Sequence, residues 1–278
     1  MIPYPNINPD IVAIGPLHIR WYGLMYVLGF LAGYMLIQRQ DRSRQLGLVG
    51  NTAQDLIFYL AVGLIVGARL GYVVFYDYSQ YMTYLANPLE IIATWHGGMS
   101  FHGGLLGATI GCWWFCRRRR FPFLAVVDSV TVTAPIGLGL GRVGNFINGE
   151  LLGLPTNVPW AMVFPDGGPL PRHPSQLYEA VMEGPVLFFL LWWLRKKGFR
   201  DGMMLVFFML FYGVIRFYLE FFKEPDYQIG YLFRYFTMGQ LLCIAMVLAA
   251  LLLGTFLLRS RAAGEGEAES RKVDNRKR

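Results

Sequence analysis

The chain has 278 residues, of which 55% are hydrophobic and only 15% are charged. Soluble domains carry about 25% charged residues, so this composition disfavours an ordinary soluble protein. The net charge of +7 could indicate a nucleic-acid surface, but the basic residues are concentrated in short segments instead. Residues 38–45, 117–120, 195–200 and 259–278 hold three, four, four and seven Lys or Arg, which is 18 of the 25. We therefore predict a membrane protein and no nucleic-acid partner.

Seven apolar stretches follow one another along the chain, each close to the roughly 20 residues that cross a bilayer. They are residues 21–37, 56–76, 97–116, 123–141, 177–194, 203–222 and 236–258. With seven spans, the four basic segments fall on one side, and basic loops stay in the cytoplasm. The sequence therefore predicts an all-α polytopic membrane protein with its N-terminus outside and its C-terminus in the cytoplasm.

The predicted spans make residues 1–258 a single domain, with a small head at about residues 142–176 on the outer side. Residues 259–278 are polar and lack aromatic side chains, which is typical of disorder. We therefore predict a disordered cytoplasmic tail and expect any activity to reside in residues 1–258.

Polar residues from different spans fall at a similar depth, toward the outer face of the predicted bundle. They are Arg20, Tyr22, Tyr26, Arg69, His102, Arg142, Glu179, Glu183, Arg216 and Glu220. A charge within the bilayer costs about 2.5–3.5 kcal/mol on insertion scales, so such residues mark function. Several of them at one depth predict a polar cavity that opens outward.

Two His-Gly-Gly units, which begin at His96 and His102, stand at the start of the third predicted span. The pair suggests a metal site at first, but no carboxylate or cysteine stands at ligand spacing. An imidazole with a pKa near neutrality is better suited to proton transfer. We therefore predict no metal and assign proton transfer to His102, which lies deeper toward the cavity. His96 follows Trp95 and is expected at the membrane interface.

Residues 141–153 combine four glycines with one arginine, two asparagines and a glutamate. The glycines disfavour a continuous helix, so we expect an irregular segment at the membrane boundary. Arg142 offers a planar fork of donors that suits a phosphate. Asn145 and Asn148 can bind glycerol hydroxyls or phosphate oxygens. The segment is predicted to bind a ligand, with a re-entrant turn as the alternative.

Residues 172–179 precede the fifth predicted span. Pro174 and Ser175 suit the start of a helix, and Glu179 follows within its first turns. Helix capping does not explain Arg172 and His173, which we expect to close over the cavity from outside.

Span six places Tyr212, Arg216 and Glu220 four residues apart, on one helical face. Arg216 and Glu220 can therefore form an ion pair. The pair could serve only to lock two helices, but the other polar residues at this depth favour an arginine that faces a substrate.

Glu179 and Glu183 are also four residues apart. Like charges on one helical face need a cation opposite, and Arg69 or Arg172 could provide it. We expect these glutamates to have a structural role.

Taken together, these stretches resemble the prolipoprotein diacylglyceryl transferase family. Residues 141–153 resemble its signature, Gly-Arg-x-Gly-Asn-Phe-x-Asn-x-Glu-x-x-Gly, without a mismatch. Further similar stretches are residues 18–26, 98–104, 172–179 and 212–222. The resemblance covers nearly the whole chain except the tail. One departure is the short stretch between Gly153 and Arg172, which leaves the outer lid undetermined.

The resemblance implies a bacterial inner-membrane enzyme whose active site faces the periplasm. Such enzymes move diacylglyceryl from phosphatidylglycerol to the lipobox cysteine thiol of a preprolipoprotein, forming a thioether and releasing glycerol phosphate. No cofactor or metal is implied. The expected catalytic residues are His102, Arg142, Arg216 and Glu220. The expected substrate-binding residues are Tyr22, Tyr26, Asn145, Asn148, Glu150, Gly153 and Tyr212.

The implied reaction needs a thiolate and a stabilised phosphate leaving group. Arg142 and Arg216 would offset the charge that develops on the phosphate. His102 would take the thiol proton, because a free thiol with a pKa of about 8.5 is mostly protonated at neutral pH. A glutamate or water is the alternative proton acceptor.

Three other classes of membrane protein fit this sequence less well. A transporter or flippase would need internal repeats and a path to both faces, whereas the charged residues favour one side. A CDP-alcohol transferase would need an Asp-rich metal motif, which this sequence lacks. A structural scaffold would not explain so many charges within the spans.

Overall fold

The computed structural model describes the backbone of all residues except Met1, Asn6, Pro16, 77–80, 94–96, 226–229, 233–234 and Arg278. Among the described residues, the side chains of Ile14, Leu17, Arg42, Ser43, Met82, Thr83, Tyr231 and 260–277 are also left out. His96 and its predicted place at the interface lie outside the described residues.

Helices dominate the described chain. The α-helices are α1 (Trp21–Arg44), α2 (Asn51–Phe75), α3 (Tyr81–Ala86), α4 (Phe101–Arg119), α5 (Phe123–Asn148), α6 (Ser175–Val181), α7 (Leu187–Leu194), α8 (Met203–Leu219) and α9 (Met238–Lys277). A π-helical turn, Met182–Val186, joins α6 to α7. Short 3₁₀ turns are Pro88–Ile91, Pro165–Gly167, Arg195–Lys197 and Glu220–Phe222.

Six helical segments of the described chain are long and apolar enough to cross a membrane. They are Trp21–Asp41, Asn51–Phe75, Phe123–Asn148, Ser175–Lys197, Met203–Phe222 and Met238–Arg259. The prediction of an all-α, multi-pass membrane protein is confirmed. The predicted third span also forms a helix, the 19-residue α4, whose last turn carries Arg117, Arg118 and Arg119. The count of seven spans and their direction stay predictions.

The strands are short and form three two-stranded sheets. They are β1 (Ile2–Pro3), β2 (Asp10–Ile14), β3 (Leu17–Arg20), β4 (Met162–Val163), β5 (Tyr231–Leu232) and β6 (Phe236–Thr237). β1 runs parallel to β4, whereas β2 with β3 and β5 with β6 are antiparallel pairs. In the β2–β3 hairpin, Asp10 accepts hydrogen bonds from His18 and Arg20, and these partners lower the pKa of its carboxyl group.

The chain divides into two compact units. The first comprises Met1–Ala32 and Val130–Arg278, and the second comprises Gly33–Ser129. The predicted disordered tail concerns residues whose side chains lie almost entirely outside the described set, and it stays a prediction.

In the second unit, α2 and α4 touch through glycines that recur every four residues. Gly63, Gly67 and Gly71 of α2 meet Gly103, Gly107 and Gly111 of α4. A Cβ atom on Gly67 would lie 2.7 Å from the Cα of Gly107, so only glycine permits this approach. Small residues at such spacing allow close helix packing in membranes, where apolar side chains gain little by leaving lipid.

In the first unit, the π-helical turn bends the segment between α6 and α7. Gly184 has φ −89° and ψ −108°, and Pro185 follows it. A Cβ atom on Gly139 of α5 would lie 2.8 Å from the Cα of Gly184, so the bend lies directly against α5. The π-helical turn contains Glu183, and such turns recur at functional sites.

A compact head of loops follows α5 and is held together by backbone hydrogen bonds. Leu154 N donates to Phe222 O at 2.9 Å, and Glu224 N donates to Leu152 O at 3.0 Å. His173 N donates to Leu154 O at 3.0 Å. These bonds tie the chain after α5 to the chain after α8 and to the start of α6.

Candidate active site

Arg142 lies within α5, whereas the sequence predicted an irregular segment from residue 141 onward. The helix continues to Asn148, so this prediction is wrong for residues 141–148 and holds only from Gly149. A helix satisfies its own backbone hydrogen bonds in a bilayer, which outweighs the entropic cost of its glycines. At Gly144, a Cβ atom would lie 2.7 Å from Cδ2 of Tyr22, so glycine here admits a tyrosine ring.

Five buried ionisable side chains from three helical segments form one charge cluster: Arg142, Glu179, Glu183, Arg216 and Glu220. Arg142 Nε lies 3.0 Å from Glu179 Oε2 and 3.1 Å from Glu183 Oε2. Arg216 Nη1 pairs with Glu179 and lies 3.5 Å from Glu183 Oε1. Arg216 Nη2 lies 2.7 Å from Glu220 Oε2. Both arginines therefore share the same two glutamates.

The cluster is nearly closed to solvent. The exposed fractions of the side chains are 18% for Arg142, 11% for Arg216, 2% for Glu179 and 0% for Glu183. Removing such charges from water is expensive unless each finds an opposite charge, and removing one partner typically costs about 3–5 kcal/mol. The dense pairing meets this requirement and fixes two guanidinium groups close together.

The ion pair predicted between Arg216 and Glu220 is confirmed. The cation expected opposite Glu179 and Glu183 was wrongly assigned to Arg69 or Arg172. In the structure, Arg142 and Arg216 are the partners. The sequence spacing could not reveal this, because the partners come from α5 and α8, far away along the chain.

Arg172 instead ties loops of the head together. Its Nη1 donates to Gly153 O at 3.0 Å and lies 2.9 Å from Glu224 Oε2, and its Nε donates to Gly167 O at 3.0 Å. The residue therefore links three head segments. Its predicted closure over a cavity stays a prediction.

Two tyrosines of the first unit interact with the charge cluster, and a third, Tyr22, contacts one of them. The rings of Tyr22 and Tyr26 are 5.2 Å apart in an edge contact, with hydroxyl oxygens 3.4 Å from each other. Tyr26 lies within electrostatic range of Arg142, and Tyr212 lies within range of Glu183 and both arginines. Of these predicted substrate-binding residues, Tyr26 and Tyr212 are therefore near the cluster, and Tyr22 is in contact with Tyr26.

The asparagines of residues 141–153 serve the loop that follows α5. Asn145 Nδ2 donates to Glu150 Oε1 at 2.7 Å, and Asn148 Nδ2 donates to the same oxygen at 3.2 Å. Gly149 and Leu151 have positive φ angles of 69° and 57°. The predicted ligand-binding asparagines thus hold a tight, strained turn in this structure. Their role as substrate ligands stays a prediction.

Gln176 is a site residue that the sequence analysis did not single out. It is fully buried, and its Nε2 donates to Glu150 O at 2.6 Å. Neighbouring Ser175 donates through Oγ to Leu151 O at 3.3 Å. The side chains at the start of α6 therefore hold the turn after α5. The only available signal was that both residues belong to the motif at residues 172–179.

Gly153 is enclosed by the head. A Cβ atom on it would lie 2.9 Å from both His173 Cβ and Phe222 O. The predicted role of Gly153 in substrate binding is not tested by this contact, but the contact explains why a side chain would not fit.

His173 belongs to an aromatic group in the head. Its Nδ1 lies 3.1 Å from Tyr178 Oη, which accepts a hydrogen bond from Trp160 Nε1 at 2.6 Å. The ring centroid of Phe222 is 5.2 Å from that of His173. Burial lowers the pKa of His173, which favours a neutral imidazole at neutral pH.

His102 lies in the second unit, in the first turn of α4. Ser100 caps this helix by accepting a hydrogen bond from Gly103 N at 3.1 Å. The His102 side chain is exposed, and its ring lies 5.6 Å from that of Phe101. An imidazole available to solvent is compatible with proton transfer, and the assignment of this role stays a prediction.

The fold and the charge cluster define a class of protein: a multi-pass membrane protein with a pre-assembled, buried group of arginines and glutamates. Comparisons with known proteins then identify the family. The family model described as prolipoprotein diacylglyceryl transferase matches residues 9–256. The chain therefore belongs to the prolipoprotein diacylglyceryl transferase family.

Individual relatives agree over nearly their full length. The chain is 49% identical to the phosphatidylglycerol–prolipoprotein diacylglyceryl transferase of Nitratidesulfovibrio vulgaris over 269 residues, covering 96% of this chain and 99% of the relative. It is 48% identical to the protein of that name from Geobacter sulfurreducens, covering 93% and 98% respectively. The protein of that name from Pseudomonas paraeruginosa is also 48% identical, with coverage of 95% and 98%.

Proposed function

We propose that this chain transfers the diacylglyceryl group of phosphatidylglycerol to the lipobox cysteine of preprolipoproteins, the first step of bacterial lipoprotein maturation. The family assignment over residues 9–256 supports this function. The observation that carries it to named residues is the convergence of Arg142 and Arg216 on shared, buried glutamates. Two fixed guanidinium groups suit a reaction in which a phosphate departs.

The proposed reaction is a substitution at carbon. The cysteine thiolate attacks the carbon of the diacylglyceryl group that is bonded to the phosphate oxygen. A carbon–sulfur bond forms there, and the bond between that carbon and the phosphate oxygen breaks. The electron pair of that bond leaves with glycerol phosphate. The thiol proton goes to a base, for which His102 is our candidate.

Arg142 has donors besides Nε, and these would bind the phosphate. Both of its ion pairs with glutamate use Nε, which lies on one edge of the guanidinium plane. The two Nη atoms form the end of the guanidinium group, and this fork matches two phosphate oxygens. Arg142 would thus bind phosphate while its glutamates keep the guanidinium in place. Tyr26 and Tyr212 would line the same site.

We propose that the enzyme is a multi-pass protein of the bacterial inner membrane and that its active site faces the periplasm. The four basic segments fall on the same side of the predicted spans, and this supports the orientation because basic loops remain in the cytoplasm. The head beside the site would then face the periplasm, where the substrate cysteine is presented.

The function is tested with purified protein, phosphatidylglycerol labelled in the glycerol of its diacylglyceryl group, and a lipobox peptide. We expect labelled peptide that keeps its label after mild alkali, because the thioether is stable under conditions that cleave acyl esters. A peptide with serine in place of cysteine is the control for the acceptor, and phosphatidylethanolamine is the control for the donor. Absence of labelled cysteine peptide under these conditions would refute the proposed function.

The role of His102 is tested by His102→Gln across a range of pH. We expect the transfer rate to fall about 100-fold at neutral pH, which is the typical contribution of general base catalysis. The exposed His18 provides the matched control, and His18→Gln should retain the wild-type rate. Near-normal transfer by His102→Gln at every pH would assign the proton to another acceptor.

A further inference from the structure

The helix that follows the charge cluster in sequence begins with a capping box. Thr237 precedes the first residue of α9, and its Oγ1 accepts a hydrogen bond from Gln240 N at 3.2 Å. Gln240 Oε1 in turn accepts one from Thr237 N at 3.1 Å. This reciprocal pair satisfies two backbone donors at the start of a helix. Both residues are buried, with exposed fractions of 5% and 2%.

The cap also directs the proton of the Thr237 hydroxyl. A hydroxyl has one proton to donate and can accept through its lone pairs. Because Oγ1 accepts from Gln240 N, its proton is available for Glu220 Oε1, which lies 3.1 Å away. Thr237 therefore connects the start of α9 to a member of the charge cluster.

Gly239 makes room for the same carboxylate. A Cβ atom at this position would lie 2.6 Å from Glu220 Oε1 and 2.8 Å from its carboxyl carbon. Any side chain at residue 239 would push the carboxylate away. Thr237, just before α9, thus donates to Glu220, and Gly239, in the first turn of α9, leaves the space that the carboxylate of Glu220 occupies.

We propose that Thr237 and Gly239 are positioning residues that act on the proposed reaction through Glu220 and Arg216. One carboxylate oxygen of Glu220 receives Thr237, and the other lies 2.7 Å from Arg216 Nη2. The hydroxyl of Thr237 and the space left by Gly239 therefore determine where the carboxylate of Glu220 lies, and with it the negative charge beside Arg216. This inference rests on the proposed function, in which Arg216 stabilises the departing phosphate.

Three variants of the full-length enzyme distinguish positioning of Glu220 by Thr237 from a purely structural role of Thr237 in capping α9. Thr237→Val removes the hydroxyl, Thr237→Ser keeps it, and Gln240→Met weakens the capping box without touching the Thr237–Glu220 bond. We expect Thr237→Val to lower kcat at least 10-fold with little change in KM for the lipid. Thr237→Ser should remain within about threefold of the wild type.

The Gln240→Met variant separates the two roles. If Thr237 acts by positioning Glu220, this variant should lose thermal stability but keep its kcat within about threefold. An equal loss of kcat in Gln240→Met and Thr237→Val would overturn the proposal, because helix capping alone would then explain both. A normal kcat for Thr237→Val would overturn it as well.

Gly239→Ala gives a second, independent test. Alanine favours helices over glycine, so a merely structural position would tolerate it. We expect kcat to fall at least 10-fold because the methyl group displaces Glu220. Gly137→Ala is the matched control, since a Cβ atom there meets nothing within 4 Å. Wild-type kcat in Gly239→Ala would contradict the proposal.

A measurement without turnover keeps the inference separate from the proposed function. The shifts in melting temperature of Thr237→Val, Glu220→Met and the double variant should be non-additive, because each single variant removes the one hydrogen bond that the two residues share. Additive shifts would refute the contact even if the enzyme is active. A wild-type enzyme that transfers no lipid would refute the proposed function, while non-additive shifts would still support the positioning of Glu220.

Discussion

Two buried arginines of this protein have opposite kinds of partners. Arg69, in the second unit, donates to the backbone carbonyls of Glu90, Ile91, Gly97 and Gly98 at 2.6–3.1 Å. Arg216, in the first unit, pairs with carboxylates. The exposed fractions of the whole residues are similar, 6% for Arg69 and 9% for Arg216. Burial alone therefore does not distinguish them, whereas the chemistry of their partners does.

Backbone carbonyls hold a guanidinium through dipoles that cannot move without unfolding a loop. Carboxylates on side chains carry full charges and can shift when another anion arrives. A carbonyl-bound arginine is thus suited to fixing a loop, and a carboxylate-bound arginine is suited to receiving a phosphate. The comparison predicts that changes at Arg69 act on stability and that changes in the charge cluster act on the reaction.

The largest effect is expected for Arg142→Lys. Lysine keeps the charge but cannot offer a fork, so we expect transfer to fall by about 100-fold or more, or roughly 3 kcal/mol of transition-state stabilisation. Arg119→Lys is the control, because that side chain is about half exposed and pairs with Asp55. Both are measured by lipid transfer to the lipobox peptide. Unchanged turnover in Arg142→Lys would remove phosphate recognition from this residue.

A second test concerns Arg69, the arginine whose partners are backbone carbonyls. Arg69→Met leaves four partly buried carbonyl oxygens without their donor, so we expect a loss of about 2–3 kcal/mol in the free energy of unfolding. Thermal unfolding in detergent measures this change. The fraction that remains folded should transfer lipid within a few-fold of the wild-type rate. A folded but inactive Arg69→Met would mean that this arginine also serves the reaction.

A smaller effect is expected where helices touch without charges. In Gly107→Ala, the added methyl group would lie 2.8 Å from the Cα of Gly67 and against the Gly63 carbonyl. Overpacking of this kind costs about 1–3 kcal/mol of stability. Gly137→Ala, which has open space, should unfold at the wild-type temperature or slightly above it, because alanine favours helices over glycine. Equal stability of the two variants would show that α2 and α4 do not require glycine at their contact.

The smallest effect concerns the pH dependence of stability in the head. The pKa of His173 is lowered in the folded protein, so the unfolded chain binds its proton more readily. Stability from this residue is therefore complete above the unfolded pKa of about 6.5 and declines as the pH falls below it. His173→Gln should reduce the decline in melting temperature between pH 7 and pH 5. An unchanged decline would assign the acid sensitivity to other groups.

Much of the site could be predicted because its residues lie in local patterns. The spacing of Arg216 and Glu220 predicts their ion pair, since residues four apart share a helical face. The signature at residues 141–153 indicates Arg142. The partners of Glu179 and Glu183 could not be predicted, because they depend on how α5, α6 and α8 approach one another. Thr237 gave no local signal either, since its partner Glu220 lies in the preceding helical segment.

The amino-acid sequence alone was enough to predict a helical membrane protein and to indicate the family that it resembles. Apolar length and the distribution of charge are local properties, and lipid allows few alternatives to a helix. Only the tertiary structure decided that α5 continues past its glycines and that two arginines share two glutamates. Buried charges must find opposite charges, and packing of distant segments determines which ones lie within reach.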